Sequence, residues 1–257
     1  MKVCVLASGS KGNVTYVETR EHKILLDVGK NYKYINEQLQ SIDVDIKEID
    51  YVIISHLHDD HISALETLVK RVKPTVCLTR PMFLELPDLN AYDRILIYED
   101  DIYIDGVTVK SIKSSHDATD SRNFVIEEGD SSIVYITDTG YIKAKNFAKV
   151  ANKNIYLMES NHDIEMLNNG PYPKWLKKRV LSDYGHLSNI AASFYLTKLI
   201  GPNTKKVVLM HLSEINNSKD KSLLTLNETF KEYEVNFKNV IISDQNEKSE
   251  VIEVWLQ

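Results

Sequence analysis

With 257 residues, 43% hydrophobic and 26% charged, the chain has the length and composition of a globular protein of one large or two small domains. Its formal charge of −6 argues against holding nucleic acid through overall charge alone. No apolar run approaches the roughly 20 residues of a membrane span, and the short apolar start from Met1 to Ala7 reads as a first strand rather than a signal peptide.

Turn residues bound the first strands, expected at Val3 to Leu6, Val14 to Val17 and Ile24 to Leu26. Ile35, Leu39 and Ile42 give the spacing of a short amphipathic helix. Tyr51 to Ser55 is apolar until its end, as in a strand covered on both faces. A helix is expected over Ile62 to Val72, then a strand over Val76 to Thr79. Strands continue at Ile95 to Tyr98, Ile102 to Ile104, Val107 to Ile112, Phe124 to Glu127 and Ile133 to Thr137, with Asp105-Gly106 as a hairpin turn. Helices at Ile142 to Val150, Lys174 to Leu181 and Ser188 to Leu199 alternate with strands Ile155 to Met158 and Val207 to Met210. The tail reads as a helix near Leu223 to Tyr233 and strands Val240 to Ser243 and Val251 to Trp255. Two successive sets of strands, each with helices, fit a sandwich of two sheets with helices outside. No linker or repeat divides the chain, so one domain over residues 1–257 is expected. Cys4 and Cys77 lie in strand-like runs and are expected as reduced core residues of a cytoplasmic protein.

The densest chemistry is His56-Leu57-His58-Asp59-Asp60-His61, which follows the buried run at Tyr51. Imidazole and carboxylate together suit Zn, Mn or Fe ions. His56 and His58 alternate on an extended segment and point the same way, so both can face one ion. Asp60 and His61 lie where the chain turns toward a helix and can face a second ion.

His-x-His-x-Asp-His at a strand end resembles the signature of the metallo-β-lactamase-fold hydrolases. That resemblance implies an α+β fold, a four-layer αβ/βα sandwich of two mixed sheets, with the site along one edge. It also implies two divalent metal ions per chain. His56, His58 and His116 would hold one, and Asp60, His61 and His211 the other. Asp138 would bridge them, with a shared water or hydroxide as nucleophile. Asp27 would orient a metal ligand from behind. Any one of His116, Asp138 or His211 alone has a plainer reading, as a strand cap or loop residue. Of the eight histidines, only His22 lies outside a motif-like context.

A bridging Asp138 favours phosphodiester chemistry over lactam hydrolysis, because two ions can bind a phosphate oxygen while delivering hydroxide in line. Glu159 in Met158-Glu159-Ser160 and His186 in Gly185-His186-Leu187-Ser188 resemble motifs of the nuclease branch. There the histidine protonates the leaving oxygen and the glutamate orients it, which metals alone do not do. The plainer reading of His186 is a helix-start residue bonded to a loop carbonyl. Ala7 to Asn13, Glu159 to Asp163, Gly170 to Pro173, Gly185 to Asn189 and His211 to Ser213 with Asn216-Asn217 resemble the bacterial YycJ/WalJ-type subgroup. This implies exonuclease-like activity, with DNA favoured. Only 73 positions separate Asp138 from His211, too few for the extra domain of β-CASP nucleases.

For the substrate surface, Ser10 and Asn13 lie in a turn that either offers backbone N–H groups to phosphate or simply joins two strands. Lys174 and Trp175 open a segment of four cations and an indole, suited to phosphates and a base or else to a solvated helix face. His162 is equally a substrate contact or a structural residue. Tyr172 and Asn217 are further candidates. The competing expectation is a small-molecule hydrolase of the same fold, cleaving a thioester, lactone or cyclic phosphodiester. The acidic net charge and the lack of a gripping arm favour it. A metal-binding protein without activity is disfavoured by the complete ligand set.

Overall fold

The computed structural model describes residues 1–254. The chain lays down one sheet, then the other. The first takes β1 (Lys2–Ala7), β2 (Val14–Glu18), β3 (Lys23–Leu26), β4 (Tyr51–Ile53), β5 (Thr75–Thr79) and β6 (Ile95–Tyr98). The second takes β7 (Ile102–Ile104), β8 (Val107–Lys113), β9 (Arg122–Glu128), β10 (Ser131–Ile136), β11 (Ile155–Glu159), β12 (Lys206–Met210) and β13 (Val240–Ile242). The last strand, β14 (Ile252–Glu253), returns to pair with β1. Strand orders are β14-β1-β2-β3-β4-β5-β6 and β7-β8-β9-β10-β11-β12-β13. Both sheets follow one pattern: the first three pairings are antiparallel and the last three parallel.

Strand alternation explains the layers. Val3, Val5, Ile24, Leu26 and Ile53 face Phe124, Ile126, Ile133, Tyr135 and Leu157 across the space between the sheets. Their neighbours Cys4, Leu6, Leu25, Val52 and Ile54 point outward, against Ile35, Leu39, Leu65 and Leu68 of α1 (Tyr32–Gln40) and α3 (Leu65–Arg71). On the far side Val134, Tyr156, Met158, Val207 and Leu209 meet Ala192, Leu196, Leu226 and Phe230 of α8 (Asn189–Leu199) and α9 (Lys219–Glu232). Four layers result, each large apolar side chain contributing about 1.5–3 kcal/mol by leaving water. The expected α+β sandwich is the fold. Cys4 and Cys77 are free and buried, in different layers.

Several expected boundaries shift. The single helix expected over Ile62 to Val72 is two: α2 (Asp59–Ile62) and α3. The break has a cause, since Ala64 N donates to Val28 O instead of continuing the helical ladder. The helix expected from Ile142 begins as α5 (Phe147–Val150), after a tight turn at Ala144–Asn146. Two short helices lie outside the expectation, α4 (Arg80–Leu84) and α6 (Ile164–Asn169), whereas α7 (Lys174–Val180) agrees with it. Ser188 caps α8, its hydroxyl accepting from Ala191 N at 3.2 Å. The final strand, expected over Val251 to Trp255, is the two-residue β14, and Trp255 lies outside the described residues.

Candidate metal centre

The centre lies at the edge where the parallel strands of both sheets end. Asp27 directly follows β3 and Asp138 stands two residues past β10, each at the place where its sheet changes from antiparallel to parallel pairing. Such switch points leave a crevice at strand ends. Both aspartates adopt left-handed backbone, φ 58° and 47°, as does His211 at φ 57° after β12. Non-glycine residues hold this conformation at some cost, and that cost persists where surrounding contacts fix it.

His56 Nε2 and His116 Nε2 lie 3.1 and 3.3 Å from His58 Nδ1. Ligands about 2.0–2.1 Å from a tetrahedral ion stand about 3.3 Å apart, so these three nitrogens have the spacing of one coordination face. Asp60, His61 and His211 form a second group, with donor atoms within 4.8 Å of one another. Asp138 lies between the two groups. Its carboxylate oxygens are 3.2 Å from His61 Nε2, 3.6 Å from His211 Nε2 and 3.8 Å from His116 Nε2. His211 Nε2 is buried and has no hydrogen-bond partner. A buried nitrogen aimed at a carboxylate and two further donors is what a cation would complete, so the residues fit divalent metal ions.

The second ring nitrogen is held in four of the five histidines, His58 being the exception. Asp27, fully buried, accepts from Ser55 N at 2.7 Å, Ser55 Oγ at 2.8 Å and Tyr135 OH at 2.8 Å. Its Oδ2 also lies 2.9 Å from His61 Nδ1, which directs Nε2 toward Asp138 Oδ2 at 3.2 Å. His56 Nδ1 rests 3.0 Å from Ser55 Oγ, and His116 Nδ1 3.2 Å from Gly185 O. His211 Nδ1 lies 3.0 Å from Glu159 Oε1. The same oxygen lies 2.7 Å from His186 Nδ1, while Oε2 accepts from Thr139 N and Leu187 N, both at 3.1 Å. Glu159 is therefore saturated and not free to hold an ion itself.

Electrostatics follow this wiring. Burial raises the Asp138 pKa, but His211 and His61 outweigh it and hold the carboxyl well below its usual range. Burial also opposes ionised Glu159, yet His186 and His211 bring it down to about 2. Burial lowers the His211 pKa, and Asp138 with Glu159 reverses this, raising it to about 9 without metal. Burial dominates for His56 and His116, which are pushed down and held neutral.

The centre opens into a cleft of about 380 Å³, lined by Ser10, His58, Asp60, Tyr172 and His186 among others. The remaining expected substrate contacts are elsewhere. Asn13 is fully buried, its side chain accepting from Gly9 N at 2.8 Å and approaching His61 Nε2 at 2.9 Å. The N–H groups of Ser8, Gly9, Gly12 and Asn13 are used within the protein, which leaves only those of Ser10 and Lys11 in this turn for a phosphate. Asn217 is buried and bonds Ser160 O and Asn189 Oδ1. His162 is 1% exposed and reaches no surface. Lys174 and Trp175 sit on α7 but outside the cleft wall, which Leu176, Arg179 and Val180 of that helix supply instead.

Sequence reasoning gave no role to Ser55, Tyr135, Asn161 or the carbonyl of Gly185, whereas Arg179, the last of the four cations it noted after Lys174, lies in the cleft wall. Asn161 Nδ2 donates to His211 O at 3.0 Å, and Arg179 pairs with Asp117 beside His116. Ser55 stands next to His56, a signal that could have found it. Tyr135 and Gly185 carry no local signal, because their role arises only when distant segments meet.

These ligand loops on a four-layer sandwich define a metallo-hydrolase. The chain belongs to the metallo-β-lactamase superfamily, whose model matches residues 7–211. It is 34% identical over 232 residues to the exodeoxyribonuclease WalJ of Streptococcus pneumoniae serotype 2 (strain D39 / NCTC 7466), covering 88% of this chain and 86% of that protein. It is 32% identical over 239 residues to the exodeoxyribonuclease YycJ of Bacillus anthracis, covering 89% and 88%. Among solved structures, the metallo-β-lactamase fold protein YhfI from Bacillus subtilis superposes with a TM-score of 0.73 at 17% identity, over 97% of this chain and 99% of that one. No helix among the described residues is long and apolar enough to cross a membrane.

Proposed function

We propose that this chain is a dinuclear metal-dependent exonuclease acting on DNA. The observation that carries the reading is the placement of His186 beside the two donor groups, held by a glutamate that also holds His211. The names of the two bacterial relatives support DNA as substrate. His56, His58 and His116 would hold one ion and Asp60, His61 and His211 the other, with the Asp138 carboxylate between the two groups; Zn, Mn and Fe all suit these donors. Metal bound there would lower the pKa of a water and place positive charge near a phosphoryl oxygen. His186 donates the proton to the departing alkoxide, and Glu159 aims its ring through Nδ1, leaving Nε2 toward the cleft. Ser10 and Tyr172 border the substrate. Free, buried cysteines suit a reducing cytoplasm.

The test incubates metal-loaded protein with labelled linear single- and double-stranded DNA and RNA, beside Asp138→Asn and His186→Ala. Cleavage from DNA ends, lost in both variants, is the expected result. Hydrolysis of a small ester or cyclic dinucleotide with no cleavage of nucleic acid overturns the nuclease reading. Metal analysis is expected to find two ions per chain, and one ion removes the bridging role of Asp138.

A further inference from the structure

A second cavity, of about 500 Å³, is larger than the metal cleft and belongs to none of the chemistry above. It lies at the ends of β5, β6 and β8 and the start of β9, on the edge that carries the metal centre. The two are joined through the chain: Lys113 in its wall is three residues before His116, and Lys143 is five after Asp138. Its lining holds six cations, Arg80, Lys113, Arg122, Lys143, Lys145 and Lys149. Three carboxylates, Glu99, Asp100 and Asp120, accompany them, so this cleft carries a formal +3 on a chain of −6.

The floor is built and neutral. Arg122, 6% exposed, donates from Nη2 to both Asp120 oxygens at 2.9 and 2.8 Å. From Nη1 it donates to Glu99 O and Ser111 Oγ, both at 3.2 Å. Arg80, Lys143, Lys145 and Lys149 form no ion pair among the described residues. Unpaired cations above a rigid floor suit a polyanion, whose binding is driven by counterion release. The aromatic ring in the lining, Tyr98, is only 4% exposed and offers no stacking face. The contacts available are to phosphate, not to bases.

We propose that this cleft holds the sugar-phosphate backbone of a DNA strand beyond the nucleotide at the metal centre. The inference rests on the nuclease reading and adds the grip that the sequence lacked in any separate arm. It makes strand binding independent of base sequence and strongly dependent on salt.

The experiment uses the full metal-loaded chain with Lys145→Glu/Lys149→Glu, both exposed side chains. Lys33→Glu/Lys70→Glu on α1 and α3 makes the same charge change on the outer face. Binding of a labelled phosphorothioate oligonucleotide is read by fluorescence anisotropy across salt concentrations, and hydrolysis of bis(p-nitrophenyl) phosphate reports the chemistry alone. For the cleft pair, affinity is expected to fall about tenfold at low salt and the salt slope by about 1.4 for two lost single-strand contacts. The small diester is expected to turn over unchanged, and the control pair to bind as wild type. Unchanged affinity in the cleft pair, an equal loss in the control pair, or displacement of DNA by an acidic peptide at equal charge overturns the proposal. Cleft-dependent binding without any nucleic-acid cleavage sinks the nuclease reading while the cleft stands as a polyanion site. Nuclease activity with cleft-independent binding does the reverse.

Discussion

Glu159 is the residue on which two functions meet. One of its oxygens faces both His186 and His211, and the other is held by two backbone N–H groups. Glu159→Gln keeps the shape but loses the charge that both rings face. Metal affinity is expected to fall about 10–100-fold, because the group behind a ligand is altered. His186→Ala leaves every donor in place, so kcat is expected to drop about 10²–10⁴-fold with metal content unchanged. Metal analysis and steady-state kinetics on the two variants separate the roles, and equal metal loss in both would refute the division. At this scale the candidate donors were legible because few side chains bind cations and this chain clusters them. The supports were not. A tyrosine on β10 and a glycine carbonyl acquire their roles from tertiary proximity, and neither differs chemically from any other tyrosine or carbonyl.

The element that positions His186, the proposed acid, is the loop between α7 and α8. His186 N donates to Val180 O at 3.1 Å, Leu187 N to Glu159, and Asn189 N to His162 O at 2.9 Å. Gly185 packs so closely that an added Cβ would stand 2.2 Å from Val180 O and 2.3 Å from Arg179 O. Gly185→Ala must therefore shift this loop, moving His186 and the carbonyl behind His116 together. Both metal content and turnover are expected to fall, measured as ions per chain and kcat, while circular dichroism remains that of wild type. Element types were read well from periodicity because strand alternation and helical spacing leave different patterns. Boundaries failed where a tertiary bond intervenes, as at Ala64, whose N–H goes to Val28 rather than along its helix. Likewise Lys174 and Trp175 fall on the expected helix, but which face meets the cleft is decided by packing.

At the scale of the molecule, the centre ties the two sheets together. His56, His58, Asp60 and His61 come from the first sheet's loops, and His116, Asp138 and His211 from the second's. Ions bind the folded chain, so a chelator is expected to lower Tm, by the equivalent of about 2.7 kcal/mol per site where free metal stood a hundredfold above Kd. Calorimetry with and without chelator checks this, and an unchanged Tm would contradict it. Acid acts elsewhere as well. Burial raises the pKa of Glu127, but Lys110 at 2.6 Å and Lys153 at 2.7 Å outweigh it and lower it. Its stabilisation is thus present above the ordinary carboxylate range and is lost as pH falls through the lower folded value. Glu127→Gln is expected to lower Tm at neutral pH and to have little effect in strong acid. The sandwich itself was legible, since two runs of strands with helices allow few other layer arrangements. The repeated pairing order was not, because strand neighbours are chosen by register between segments far apart in the chain.

That repeated order makes the molecule two half-folds meeting face to face. A cut between β6 and β7 would divide it into pieces that each expose one side of the inter-sheet core and carry part of each donor set, with the first sheet's edge strand β14 on the second piece. Neither piece could complete a coordination sphere alone. Reassembly would then be bimolecular, each ion serving as a cross-link between fragments, and recovered activity would report their association.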